Sequence, residues 1–379
     1  MAEYHKCSET KIQEILATII DPFTGMGLLE SKALQSLKID ETKGIELSLL
    51  KSYPIKLAEK EIRQLVLQSF SKAMQVSESE ITLDFSMDSV ITKHSKKHAI
   101  EAVTGVGNIL AVSSGKGGVG KSTVSANLAL SLSYQGAKVG ILDADIYGPS
   151  QPSVLNVSDK PQMDGNKMVP LENYGIQIMS IGLMVDQSTP MIWRGPMVTQ
   201  ALEQMIQQSA WDGLDYLILD LPPGTGDVQL TLAQKVPLAG ALVVTTPQDL
   251  ALQDVRKAIK MFEKVDVPML GVIENMSTHI CSKCHHEEAI FGSGGGQKMS
   301  DEYNLPFLGE IPLDITIREA ADLGMPTVAK VHLSNEQTSL REQEIAQRYN
   351  NIALKMAGKL AARKKDYSSL FPKIEISNT

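Results

Sequence analysis

The chain has 379 residues, 43% of them hydrophobic, with 44 acidic against 36 basic side chains and a formal charge of −8. That length accommodates two or three domains with a real core, and the composition excludes wholesale disorder. The acidic balance argues against nonspecific nucleic-acid binding, three cysteines are too few for a disulfide framework, and no apolar run approaches the roughly 20 residues that span a bilayer.

The first residues alternate charge and polarity without an apolar signal core, so a cytoplasmic location is expected. Ile12, Ile15, Leu16, Ile19 and Ile20 then recur at helical spacing behind a capping-box pattern from Thr10 to Gln13, and Asp21-Pro22 ends that helix. Strands are expected over 34–39 and 45–50, an amphipathic helix over 57–74 and a strand over 81–85. That α-β-β-α-β order makes residues 1–90 a small α+β domain. The polar, basic stretch over 91–107 reads as a solvated linker.

From Asn108 onward, short aliphatic runs alternate with helical segments. Buried strands are expected over 109–113, 138–142, 176–181, 216–219, 241–245, 269–273 and 307–311. With right-handed crossovers these build an α/β fold, a doubly wound, mainly parallel sheet, over residues 108–365. A closing helix is expected over 336–363, followed by a loose tail over 366–379.

The strongest motif is Gly115-Lys116-Gly117-Gly118-Val119-Gly120-Lys121-Ser122, which fits G-x-x-x-x-G-K-[ST] between an expected strand and a helix beginning at Thr123. Its glycines let backbone N–H groups converge on phosphate oxygens, and the helix start adds partial positive charge. Lys121 would neutralise the β- and γ-phosphates of ATP, and the Ser122 hydroxyl would ligate Mg²⁺. Asp220 ends an aliphatic run, as a Walker B aspartate does, and suits Mg²⁺ through a water. Asp143 and Asp145 follow another strand and read either as site carboxylates or as turn and cap residues. The Pro222–Asp227 stretch is a glycine- and proline-rich loop in which the Gly224 amide is a candidate γ-phosphate sensor. Asn275, expected at a strand end, presents a donor and an acceptor to an adenine edge. Cys281 and Cys284, at x₂ spacing, can share one metal centre, but one pair is half of a Cys₄ site. Apolar burial, a redox dithiol, or zinc held with two of His279, His285 and His286 remain open.

The loop GKGGVGKST at 115–123, with its extra Lys116, resembles the deviant phosphate loop of the MinD, ParA and nitrogenase iron-protein superfamily. Together with LDADIYGPSQP at 142–152, WRGP at 193–196, LILDLPPGTGD at 217–227, VIENMS at 272–277, CSKC at 281–284 and FGSGGG at 291–296, it is similar to the Mrp/ApbC family of iron–sulfur cluster carrier ATPases. The resemblance spans most of residues 108–315. It implies a homodimer in which Lys116 reaches the partner's nucleotide, so the catalytic set is Lys116, Lys121 and Asp145, with Asp145 orienting the attacking water. Asp143 would support the Mg²⁺ shell, and Asn275 and Asp314 would form the base pocket. Cys281 and Cys284 of two chains would hold a [4Fe–4S] cluster for delivery to apo iron–sulfur proteins, with no stable nucleic-acid or membrane partner. Residues 1–90 resemble a SufT-like domain that lacks a cysteine beside Tyr53-Pro54, and Cys7 reads as incidental. The family more often has proline after the first cysteine and glycine after the second, where this chain has Ser282 and His285. Two rivals remain: a MinD- or ParA-like positioning ATPase acting on membrane or DNA, for which the basic residues between 355 and 365 speak, and an ATP-driven electron donor.

Overall fold

A computed structural model of the chain describes residues 9–40, 44–87, 101–184, 195–281, 283–284, 286–334 and 338–363. Cys7, Trp193, Arg194, His285, the tail and the first ten residues of the expected linker lie outside them.

The N-terminal module comprises α1 (Glu9–Thr18), β1 (Leu34–Asp40), β2 (Gly44–Lys51), α2 (Glu59–Met74) and β3 (Ile81–Met87), in the expected order. Strand β2 sits in the middle, antiparallel to β1 and parallel to β3. Thr10 lies inside α1 rather than before it, so the expected capping box does not start that helix. Asp21 instead organises the turn after it, accepting from the Phe23 and Thr24 amides at 2.9 and 3.1 Å.

The larger part continues as β4 (Val106–Ser114), α3 (Lys121–Tyr134), β5 (Val139–Asp143), α4 (Gln151–Val154), β6 (Met163–Asp164), β7 (Lys167–Met168), β8 (Leu171–Asn173), β9 (Ile176–Ser180) and α5 (Gly195–Gln208). Then come β10 (Leu214–Asp220), α6 (Asp227–Lys235), β11 (Leu238–Thr245), α7 (Asp249–Lys264), β12 (Met269–Ile280), β13 (Glu287–Glu288), α8 (Gly295–Tyr303), β14 (Phe307–Leu313), α9 (Ile315–Asp322), α10 (Thr327–Leu333) and α11 (Leu340–Ala361). The strand order is β13-β12-β11-β4-β10-β5-β9-β8, with β14 paired to β12. Among the described residues only β13 and β8, both short edge pieces, run antiparallel to their neighbours in this sheet. The central strands are buried along nearly their whole length, as their aliphatic runs require when helices cover both faces. Strand β4 opens within the stretch expected as linker, and α11 starts at a Ser339–Glu342 capping box.

One difference from the expected strands bears on the site. The strand from Met269 does not stop before Asn275 but runs on to Ile280. Met276 takes φ 56°, and the pairing with β14 shifts between Asn275 and His279, so a bulge carries the strand past the sheet.

The N-terminal module is fastened to two helices. The Lys56 amide donates to the Gln135 carbonyl at 3.0 Å, and the Leu57 amide to Gln135 Oε1 at 2.8 Å, at the end of α3. Lys359 Nζ of α11 donates to the Thr24 carbonyl at 3.1 Å, and Gly358 lies so close that a Cβ would sit 2.6 Å from the Phe23 carbonyl. The module's apolar core is continuous with that under α3 and α11.

Candidate functional site

The phosphate-loop motif forms the turn between β4 and α3. Gly118 and Gly120 take φ of 81° and 79°, a region that side chains avoid. Gly115 abuts α7, where a Cβ would meet the Asp254 backbone at 2.4 Å, and Gly117 faces Pro223. The Ser114 hydroxyl donates to the Lys116 carbonyl at 2.9 Å. Val119 is buried, and its carbonyl accepts from Asn275 Nδ2 at 2.8 Å. Thr123 follows in the first turn of α3, where its carbonyl accepts from Asn127 Nδ2.

Four strand ends converge on this turn. Lys121 Nζ donates to Asp220 Oδ1 at 2.5 Å and to the Ser122 hydroxyl at 3.3 Å. The Ser125 hydroxyl reaches the same carboxylate oxygen at 2.8 Å. Asp143, at the end of β5, accepts from the Asp145, Ser150 and Gln151 amides and from the Ser180 hydroxyl. Burial, with the Asp220 carboxylate nearby, pushes Asp143 up to about 7 against the pull of those donors. Asp145 is half-buried, accepts from the Gly148 amide at 3.2 Å, and is raised by burial. Lys116 rests on Gln248 Oε1 at 3.3 Å.

Two expected residues are engaged otherwise. The Gly224 amide, read as a phosphate sensor, donates to the Ser114 carbonyl at 2.9 Å, and Gln229 fastens its loop through the Pro223 carbonyl at 2.7 Å. Asp314 caps α9, accepting from the Thr316 amide and hydroxyl, while its other oxygen pairs with Arg341.

Gln151 is the residue that sequence reasoning passed over. Wholly buried, it donates from Nε2 to Asp220 Oδ2 at 2.9 Å and to the Ser122 carbonyl at 3.0 Å, while its own amide meets Asp143. It lies inside the LDADIYGPSQP motif at 142–152, but nothing in that motif singles it out from its neighbours.

The two cysteines occupy the turn of the β12–β13 hairpin, which pairs His279 with Glu288 and Ile280 with Glu287. Neither forms a disulfide; Cys281 is half-buried and Cys284 exposed. The Cys281 amide donates to the His286 carbonyl at 2.9 Å. Backbone N–H groups of Cys284 and Lys283 point at the Cys281 sulfur and lower its pKa, with the Cys284 thiol and the Arg341 charge assisting. Arg341 also donates to the Ile280 carbonyl at 2.7 Å. The His279 ring contacts the Leu313 carbonyl. Among the described residues no group of three or more His, Cys, Asp or Glu is placed to hold a metal ion.

A protein of Pseudomonas fragi named iron-sulfur cluster carrier protein is 54% identical over 260 residues, covering 68% of this chain and 90% of that one. The mouse iron-sulfur cluster transfer protein NUBPL is 48% identical over 229 residues, covering 60% and 72%. Among solved structures, a nucleotide-binding protein from Archaeoglobus fulgidus in complex with ADP aligns with a TM-score of 0.52 at 39% identity, over 58% of this chain and 87% of that one. No helix among the described residues is long and apolar enough to cross a membrane. Matched from residue 105 to 353 by the ParA family model described as NUBPL iron-transfer P-loop NTPase, the chain belongs to that family.

Proposed function

We propose that the chain is an ATP-binding and ATP-hydrolysing carrier that takes up a [4Fe–4S] cluster between two copies of itself and hands it to apo iron–sulfur proteins. The observation that carries this reading is the course of β12. The strand bears Asn275, whose amide holds the Val119 carbonyl of the phosphate loop, and six positions further on it delivers Cys281 to the hairpin turn. A change at the loop therefore acts on the same strand that presents the thiols.

The residues fit Mg²⁺–ATP. The loop is an open cradle, with nothing within 4 Å of where a Gly118 Cβ would lie. Ser122, Asp143 and Asp220 offer hard oxygen donors to Mg²⁺, which neutralises phosphate charge when bound. Lys121 exchanges Asp220 for phosphate oxygens, Asp145 holds the water that attacks, and Lys116 leaves Gln248 to reach the partner's nucleotide. Asn275 and Asp314 contribute to the base side. The Gly224 amide senses the γ-phosphate by giving up the Ser114 carbonyl, so hydrolysis returns its loop to the position described above.

One chain brings two thiols, and two chains related by a two-fold axis bring the four that a [4Fe–4S] cluster requires. An exposed site split between subunits suits cargo that must leave. Anaerobic reconstitution tests this. Wild type should bind four iron and four sulfide per dimer. Cys281→Ala should lose them and keep ATP binding, and Lys121→Ala should do the reverse. A colourless monomer, or zinc in place of iron, would overturn the reading.

A further inference from the structure

The amide of Gln151 is oriented by its neighbours. Its Nε2 faces Asp220 Oδ2 and the Ser122 carbonyl, which are both acceptors. Turning the group over would set its oxygen against two other oxygens, so hydrogen bonding alone fixes which end is nitrogen. Oε1 is thereby directed away from them, buried and without a hydrogen-bond donor among the described residues. A buried carbonyl oxygen left in this state is destabilising unless something donates to it. The residue starts α4, a helix of four residues, and its backbone amide is held by Asp143 Oδ2 at 3.0 Å. One side chain and its own amide thus touch the first turn of α3, the end of β10 and the end of β5.

We propose that Gln151 is a positioning residue of the nucleotide site: its Nε2 holds the Asp220 carboxylate against the start of α3, and its Oε1 accepts from water that accompanies the divalent cation. This rests on the reading of the loop as a Mg²⁺–ATP site and adds to it a residue that sets cation affinity. Without Gln151, the Asp220 carboxylate keeps Ser125 and Lys121 on Oδ1 but loses the donor on Oδ2. When Lys121 turns to phosphate, that carboxylate is then held by Ser125 alone. The nucleotide's contacts with the loop backbone are untouched, so the defect belongs to the cation and not to the nucleotide.

The test is a Mg²⁺ titration of mant-ATP fluorescence, compared with mant-ATP binding in EDTA. Gln151→Met keeps length and apolar volume and removes both hydrogen-bonding ends. It should raise the half-saturating Mg²⁺ concentration about tenfold, or about 1.4 kcal/mol, and leave binding in EDTA within twofold. Gln151→Asn, shorter by one methylene, should give a smaller shift in the same direction and serves if the methionine variant does not fold. Equal losses with and without Mg²⁺, together with a lowered melting temperature, would make Gln151 a merely structural residue and overturn the proposal. An unchanged Mg²⁺ midpoint in a folded variant would also overturn it. If wild type fails to bind mant-ATP, or Lys121→Ala leaves that binding intact, the nucleotide reading itself falls and takes this proposal with it.

Discussion

Among the described residues two lysine–aspartate pairs are buried, and they are buried for different reasons. In the N-terminal module Lys51 meets Asp21 at 2.7 Å, each 2% exposed. Near the phosphate loop Lys121 meets Asp220 at 2.5 Å, at 6% and 0%. Taking such charges out of water is unfavourable by several kcal/mol per ion in both places. What differs is the company. Both oxygens of Asp21 accept from the Tyr53 hydroxyl, and Oδ1 also accepts from two amides of its own turn. That pair closes a turn, a strand end and an aromatic ring into one fastening beside a 410 Å³ cavity that Arg363 also lines. Lys121 stands at the start of α3 behind the glycine loop, where the proposed nucleotide phosphates would replace Asp220 as its partner. A buried ion pair is thus a clasp where its charges have no alternative partner and a placeholder where they do.

The largest expected effect breaks the clasp. Asp21→Ala strands the Lys51 ammonium and should lower stability by about 3–5 kcal/mol, read as the midpoint of urea unfolding, while Asp21→Ala with Lys51→Met should recover much of it. A loss below about 1 kcal/mol for the single variant would show that Lys51 finds another partner, and the comparison would fail. The same pair predicts an acid limb. Burial alone would raise the Asp21 pKa, but Lys51, Tyr53 and the Phe23 amide outweigh it and hold it below the ordinary 3.8. A carboxylate depressed on folding stabilises above its unfolded pKa, and that stability is lost as pH falls through the folded value. Urea midpoints measured from pH 5 down to 2 should fall more steeply for wild type than for Asp21→Asn.

Second in size is the response to ligand. Saturating the loop with Mg²⁺–ATP at a hundred times its dissociation constant should add about 2.7 kcal/mol of stability by mass action. Lys121→Met should abolish that increment, measured as the shift in melting temperature. Lys51→Met, although it weakens the fold, should keep the increment, because its aspartate never faces the loop. Loss of the increment in both variants would mean that the two pairs are one cooperative unit.

Much of this was legible beforehand, and the boundary of legibility has a physical shape. The phosphate loop, the strand ends at Asp143 and Asp220 and the order of the N-terminal elements follow from local pattern, because periodicity and glycine spacing act within a few residues. Asp21-Pro22 read only as a helix stop; its partner lies 30 positions along the chain, and no local pattern reports that pairing. Gln151 stood in a quoted motif, but its role was unreadable for the same reason, since it comes from Ser122 and Asp220, far away in sequence. The extension of β12 was missed because it depends on Met276 taking a left-handed conformation, which nothing in that residue type announces. Asp314 read as a base-pocket carboxylate, and neither its cap on α9 nor its pairing with Arg341, which is far along the chain, is reported by local pattern.

The smallest expected effect comes from the cysteine hairpin, and its smallness is informative. Cys284 is exposed, Cys281 half-buried, and the turn is held by backbone bonds and by Arg341 on the Ile280 carbonyl, not by sulfur packing. Cys281→Ser replaces one small side chain with another that can still accept from the Cys284 and Lys283 amides. It should change the stability read from urea unfolding by no more than about 0.5 kcal/mol and leave the nucleotide increment intact, while iron binding after reconstitution is lost. A destabilisation above about 2 kcal/mol would mean that the thiols are structural, like the Asp21 clasp. The expected result puts them in the other class, with Lys121: groups held in place by the fold whose partners come from outside it.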